Sequence, residues 1–254
     1  MKTLQVSVFS EDHEFDADGH LEFPMFGSTY VLERLADSTL RFSKRAEGKT
    51  VDSAIVSVNL QGAAFTFDPR LLELPVVLKF SAGVVIHPRT SVRIFALMPV
   101  DVSLILKASG ARVPVRNLAE GDILKTCYGP VDTGAVCYIS YTDVYWSENE
   151  IPELTSFFAV LPMRIQNDAH DTINLKRILI EPWMFDLYEN KDRLFATGVI
   201  VRIRSHSSAQ LIYSEDPPHP EDRRVSATKT EPPRTWLERV LPRGRKRKLA
   251  YFEE

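Results

Sequence analysis

The amino-acid sequence predicts an all-β protein made of one or two antiparallel, Ig-like sandwich lobes. Three observations carry this expectation. Short runs rich in Val, Ile, Phe and Thr recur, as in "SAIVSVNL", "AAFTFDP", "PVVLKF", "GVVIHP" and "SVRIFALMP". Many of them alternate apolar with polar residues, the period-2 signature of a half-buried strand. Gly, Pro, Asp or Ser punctuate them, and many short strands with frequent turns suit a sandwich or barrel.

Taken in order, "TLQVSVF" places Leu4, Val6 and Val8 on one face. "EFDADGHLEF" holds Asp18-Gly19, a tight-turn pair between apolar flanks, which predicts a hairpin. "STYVLERL" and "STLRFSK" follow, separated by Ala36-Asp37. Helical signals are sparse: "PRLLELP" and "IPELTSFF" offer one turn each. "DILKTCYG" and "AVCYISYTDVYW" read as a long hairpin around "PVDTG". "FFAVLPMRIQN" and "TINLKRILIEP" flank "DAHD", and "WMFDLYEN" and "RLFATGVIVRIRS" bracket "ENKD". Proline ends a strand at Met98-Pro99-Val100 and at Glu181-Pro182-Trp183. Proline cannot donate to a sheet ladder, so these points fit an edge, a strand start or a bulge, where a strand could bend or cross between sheets.

The expected domains are a first lobe over 1–110, a second over 111–213, and a tail over 214–254. The tail opens with "SEDPPHPEDRRVSATKTEPPR", a charged, Pro-rich text that predicts an extended, disordered linker. It carries ten Lys/Arg against eight Asp/Glu, which leaves 21 against 26 for the body. Phosphate contacts need concentrated positive charge, so the body is a poor general nucleic-acid binder. A hydrophobic content of 44% and a charged content of 26% are those of an ordinary soluble domain. The N-terminus lacks a signal-peptide pattern, and no apolar run approaches the roughly 20 residues of a spanning helix. A cytoplasmic location, with the tail able to lie on a membrane surface, is the expectation.

The Tyr-Gly-Pro and Thr-Gly of "YGPVDTGAVCYISYTDVY", with "LPMRIQN" and "ILIEPW" downstream, resemble an archaeal family of proteins of unknown function. The resemblance covers roughly residues 65 to 205. It implies an archaeal origin and a β-rich body, and brings no activity, cofactor or catalytic residue with it.

The candidate sites read mostly as turns. Asp168, His170 and Asp171 offer carboxylates beside an imidazole, yet a metal needs three or more converging ligands. They sit between two alternating segments, where Asn and Asp favour a turn, so a hairpin tip is expected. Asp12, His13, Asp16, Asp18 and His20 depart from calcium-loop spacing because Gly19 comes too soon. Cys127 and Cys137 are expected opposite each other across a hairpin centred on Asp132, as two buried small hydrophobes. Trp146, Trp183, Tyr138, Tyr141 and Tyr145 make a possible aromatic face, with Tyr141 and Tyr145 on one side of a strand. No nucleophile elbow, phosphate loop or dinucleotide fingerprint occurs.

The C-terminal element is the most informative. Thr235 and Glu238 form a capping box, and Trp236, Leu237, Val240 and Leu241 then share a helix face. Pro242 ends it, and Arg243, Arg245, Lys246, Arg247 and Lys248 follow. An apolar patch beside a cationic block suits a protein partner or an anionic membrane surface, with nucleic acid less favoured. The functional expectation is a non-enzymatic binding or adaptor protein tethered by this element, with no cofactor and no bound metal. The alternatives are a hydrolase with a loop-borne Asp/His site and nucleic-acid binding through the tail.

Overall fold

The structure is a computed structural model. It describes residues 9, 12–25, 27–108, 111–118, 123–128, 135–153, 157–190, 193–205 and 208–225. The expected strand around Leu4, Val6 and Val8 lies outside them. Strand makes up about 66% and helix 3% of the described residues, and the sheets are largely antiparallel, so the fold is all-β.

The first strands are β1 (His20–Met25), β2 (Ser28–Ala36), β3 (Thr39–Ala46), β4 (Lys49–Ser57) and β5 (Ala64–Arg70). Then come β6 (Val76–Ile86), β7 (Ser91–Pro99), β8 (Asp101–Ala108), β9 (Ala111–Asn117), β10 (Leu124–Tyr128) and β11 (Ala135–Thr142). The last are β12 (Phe158–Asn167), β13 (Ile173–Ile180), β14 (Leu187–Asn190), β15 (Arg193–Ala196), β16 (Val199–Ser205), β17 (Ser208–Tyr213) and β18 (Arg223–Arg224). Single 3-10 turns lie at Glu148–Glu150 and Pro182–Met184.

The chain forms two units, each drawn from separate segments. The first comprises Met1–Pro69, Asp101–Ala119 and Glu153–Phe157. Its sheets are ordered β1-β2-β3-β4 and β5-β8-β9. They face each other through aromatic rings: Phe23 of β1 meets Phe67 of β5 edge-on, with centroids 4.5 Å apart. Tyr30, Leu32, Leu40 and Phe42 supply more of this core from β2 and β3. Each such buried side chain stabilises by roughly 1.5–3 kcal/mol. The β3–β4 turn sets Glu47 and Gly48 at φ 50° and 75°. Two positive φ values in a two-residue loop match the right-handed twist of the flanking strands, which sets the pairs Ala46–Lys49 and Arg45–Thr50 before a bulge at Val51 shifts the register.

The second unit comprises Arg70–Val100, Glu120–Pro152 and Phe158–Glu254. One sheet runs β10-β11-β6-β13, the other β17-β16-β12-β15-β14-β18, with β7 also on β12. Ala159, Leu161, Met163 and Ile165 of β12 are buried on one face, with Val160 buried on the other and Arg164 exposed there, and neighbours flank the strand on both edges. Parallel pairings also occur in this unit, β6 with β11 and β12 with both β15 and β16. Period-2 patterning reports which face is buried and carries no information about strand direction.

The proline crossings occur where expected. β7 ends at Pro99 and β8 enters another sheet, and the chain leaves the β6 sheet for β14 through Pro182–Met184. "DAHD" departs from expectation. It joins β12 and β13, which belong to different sheets, so it is a bend between sheets and no hairpin. Asn167 holds that bend together. Its buried amide donates to Ile86 O at 2.9 Å and Asp171 O at 2.8 Å, and its Oδ1 accepts from Ala169 N at 3.0 Å.

Candidate functional site

The expected docking residues Trp236, Leu237, Val240, Leu241, Arg243, Arg245, Lys246, Arg247 and Lys248 lie outside the described residues. So does the Thr235–Glu238 capping box.

Asp168 and His170 are exposed at the bend. Asp168 lies 3.6 Å from Arg202 Nε, and His170 has no hydrogen bond or ion pair among the described residues. The Asp12–His20 segment is a turn: Asp16 Oδ1 accepts from Asp18 N and His20 N, at 3.0 and 2.7 Å. The expected hairpin partner is absent there, since His13 bridges Phe65 of β5. Among the described residues, no three His, Cys, Asp or Glu side chains are placed to hold a metal ion.

The β10–β11 hairpin forms, with a register one residue away from expectation. Cys127 pairs with Val136 and Cys137 with Thr126, so the two thiols take opposite faces. Cys127 is exposed and Cys137 buried, and both are free. Burial, and then the nearby Cys127, push the Cys137 thiol up to about 11. Of the aromatic set, Tyr141 and Trp146 are exposed and Trp183 is buried. Tyr145 lies beyond β11 and bridges Phe95.

Two arrangements that sequence reasoning missed carry chemistry. The first is a cleft of about 550 Å³ in the second unit, lined by Glu148, Asn149, Asn190, Arg193, Phe195, His219 and Glu221. His219 Nδ1 lies 3.0 Å from Asp222 Oδ2, and Nε2 lies 3.1 Å from Glu148 Oε1. The Asp222 side chain is 0% exposed. It also accepts from Asn190 Nδ2 at 2.6 Å and from the His219 backbone N–H at 3.0 Å. Arg193 steadies the Glu148–Glu150 turn by donating to Glu148 O at 3.2 Å and Ile151 O at 3.0 Å. Burial opposes a charged imidazole here, but hydrogen bonds and charge from Asp222 and Glu148 outweigh it and raise the His219 pKa. Two carboxylates accepting from both ring nitrogens require the imidazolium form, which leaves neither nitrogen to act as a base. The arrangement is a clamp. It fastens "HPEDRR", whose Arg223–Arg224 pair with β14 and whose Val225 N–H donates to Leu187 O at 3.0 Å. The expected linker is thus built structure through Val225. An Asp three residues after His219, closing its own turn, was the available signal, masked by Pro217, Pro218 and Pro220.

The second arrangement is an open sheet edge. Of the four edge strands of the first unit, β1, β5 and β9 contain Pro24, Pro69 and Pro114, and β4 contains none. Val51, Ser53, Ile55 and Ser57 form an exposed row on β4, with Val51 58% and Ile55 66% exposed. Its inner row is anchored: Asp52 Oδ2 accepts from Arg116 Nη2 at 2.5 Å, and the Arg116 guanidinium stands 5.0 Å from the Phe42 ring centroid.

Comparison with known proteins gives one match. A family model described as "Protein of unknown function (DUF432)" covers residues 12–245. No curated protein and no solved structure is matched.

Proposed function

The chain belongs to the DUF432 family, whose function is unknown, and from that premise we propose that it is a non-enzymatic binding protein whose first unit takes up an extended segment of a protein partner as an added strand on β4. The observation that carries this reading is the open β4 edge with Val51 and Ile55 exposed along it. A bare edge is a template for pairing with another chain, and proteins ordinarily blunt such edges with proline, charge or a bulge; β4 lacks proline but bulges at Val51, where Lys44 pairs with Asp52 and Arg45 with Thr50, which leaves residues 52–57 as its regular open run. Proline stands in the unit's three other edge strands. The partner's backbone would supply the hydrogen bonds, and apolar side chains at alternate positions would cover Ile55 and Val51. The basic element at Arg243–Lys248, with Trp236, Leu237, Val240 and Leu241 ahead of it, then acts as a tether to the same partner or to an anionic membrane surface.

Support against an acid–base site comes from His219, whose ring nitrogens both face carboxylates, and from the exposure of Asp168 and His170. The test places a photo-crosslinking residue at Ser53 in the full chain and identifies what it captures, with and without Ile55→Lys. A charge at the centre of the edge should lower capture of an extended protein segment about tenfold, the equivalent of roughly 1.4 kcal/mol. Equal capture by both forms, or crosslinks that map nowhere near an extended segment, would overturn the reading.

A further inference from the structure

The sheet β10-β11-β6-β13 has a charge pattern unlike the rest of the chain. The whole sequence has more Asp and Glu (34) than Lys and Arg (31). These four strands, "LKTCY", "AVCYISYT", "VVLKFSAGVVI" and "INLKRILI", hold Lys79, Lys125, Lys176 and Arg177 and not one carboxylate. Three of the four cations stand over tyrosine rings. Lys79 Nζ is 5.5 Å from the Tyr141 centroid, Lys125 Nζ 5.8 Å from Tyr138, and Arg177 Cζ 5.8 Å from Tyr128.

Register sorts these groups by face. Tyr141 pairs with Lys79, and Lys79 with Arg177, so the three form one row across β11, β6 and β13. Two residues along, Leu124, Ile139, Val77 and Leu179 form the next row on the same face. Lys125 and Tyr138 belong to the opposite face. At the inner end of that second row, Val77 and Leu179 are buried with Cys137, and Tyr128 packs on them. Toward β10, Tyr141 is 62% and Leu124 63% exposed. Among the described residues, no carboxylate lies within ion-pair distance of Lys79.

We propose that this face binds single-stranded nucleic acid, with a base stacked on Tyr141 and the adjoining phosphate held by Lys79. The occupant is chosen by the chemistry on the face. An acidic peptide would answer the cations and leave the side of the Tyr141 ring that Lys79 does not cover without a partner. A single-stranded nucleotide chain supplies a π-face and a phosphate at neighbouring positions, and tyrosine platforms flanked by Lys or Arg serve that ligand. Each stacked base is sequence-tolerant, so little base preference is expected. The acidic remainder of the body keeps the affinity in the range of non-specific binding, roughly 10⁻⁴–10⁻⁶ M, with strong salt dependence.

The proposal involves a different unit from the β4 reading, and the two can fail separately. The test is fluorescence anisotropy of labelled 12-mer oligo-dT and oligo-U with the full chain. The variants are Tyr141→Ala, Lys79→Gln, and a tail variant with Arg243, Arg245, Lys246, Arg247 and Lys248 all changed to Gln. Tyr141→Ala should weaken binding about tenfold, as loss of one stacking platform does. Lys79→Gln should weaken it less and flatten the salt dependence. Both effects should persist in the tail variant. The proposal is overturned if Tyr141→Ala leaves oligonucleotide binding unchanged while circular dichroism shows the fold intact. It is equally overturned if the tail variant alone abolishes binding, or if poly-glutamate or anionic vesicles of matched charge compete as well as unlabelled oligonucleotide.

Discussion

The two units finish a sheet edge in opposite ways. In the second unit, β14 is covered by the chain's own Arg223 and Arg224, delivered by the His219 clamp. In the first unit, β4 runs nine residues with no strand on its outer side among the described residues. β14 shows what an added strand needs. Two residues of ladder do not hold an edge by themselves, so side-chain anchors do the rest. Arg223 pairs with Glu189 at 2.5 Å and Arg224 with Asp186 at 2.7 Å. β4 offers the backbone ladder and the exposed apolar row without the anchors, which a partner has to bring.

The comparison breaks most sharply at Asp222. Its buried carboxylate serves the His219 ring, the His219 backbone N–H and Asn190 at once. Asp222→Ala strands all three groups, and losing one member of a buried, hydrogen-bonded charge network costs roughly 3 kcal/mol. Chemical denaturation should show that loss, and amide exchange at Leu187–Asn190 should rise as β18 comes away. Unchanged exchange at β14 would mean that the clamp is not what keeps the edge covered.

A smaller effect comes from pH. His219 is held above its ordinary value of 6.5 in the folded chain. Its contribution is therefore complete below about pH 6.5 and is lost as pH rises through the raised pKa. The charged groups around it are Glu148, Asp222, Glu221 and Arg193. Wild type should lose stability relative to His219→Gln across that interval, as the carboxylates lose a charged partner. Parallel pH profiles for the two proteins would separate His219 from the stability of this segment.

How much of this was legible in the sequence depends on the range of the interaction. β2 and β3, β10 and β11, and β14 and β15 are near neighbours joined by polar turns, and each pairs as the local text indicates. The sheet crossings at Pro99 and Pro182 were readable because proline's missing donor is a local fact. The bend at Asp168–Asp171 was misread because β12 and β13 look like a hairpin until their real partners are known. Those partners, β16 and β6, are distant along the chain. The Cys127–Cys137 register failed for a finer reason. A centre placed half a residue off sends one thiol to the other face. The His219 clamp joins residues 71 positions apart, and prolines that signal a linker also suit a segment held rigidly on a surface. The β4 edge had a trace in the text, since Pro24, Pro69 and Pro114 are local. Which strands are edges was not.

The smallest expected effect is on stability at β4, and it sharpens the contrast most cleanly. Ile55 stands on the outer row opposite Arg41, 66% exposed, and contributes little to the core. Ile55→Lys should change unfolding free energy by no more than about 0.5 kcal/mol, the usual scale for a surface position. The same variant is expected to impair capture of a partner strand, so binding and stability should separate at this residue as they do not at Asp222. A cost well above 1 kcal/mol in the isolated full-length chain would mean that Ile55 is already covered by the protein itself. β4 would then be closed, as β14 is, and the open edge on which the comparison turns would not exist.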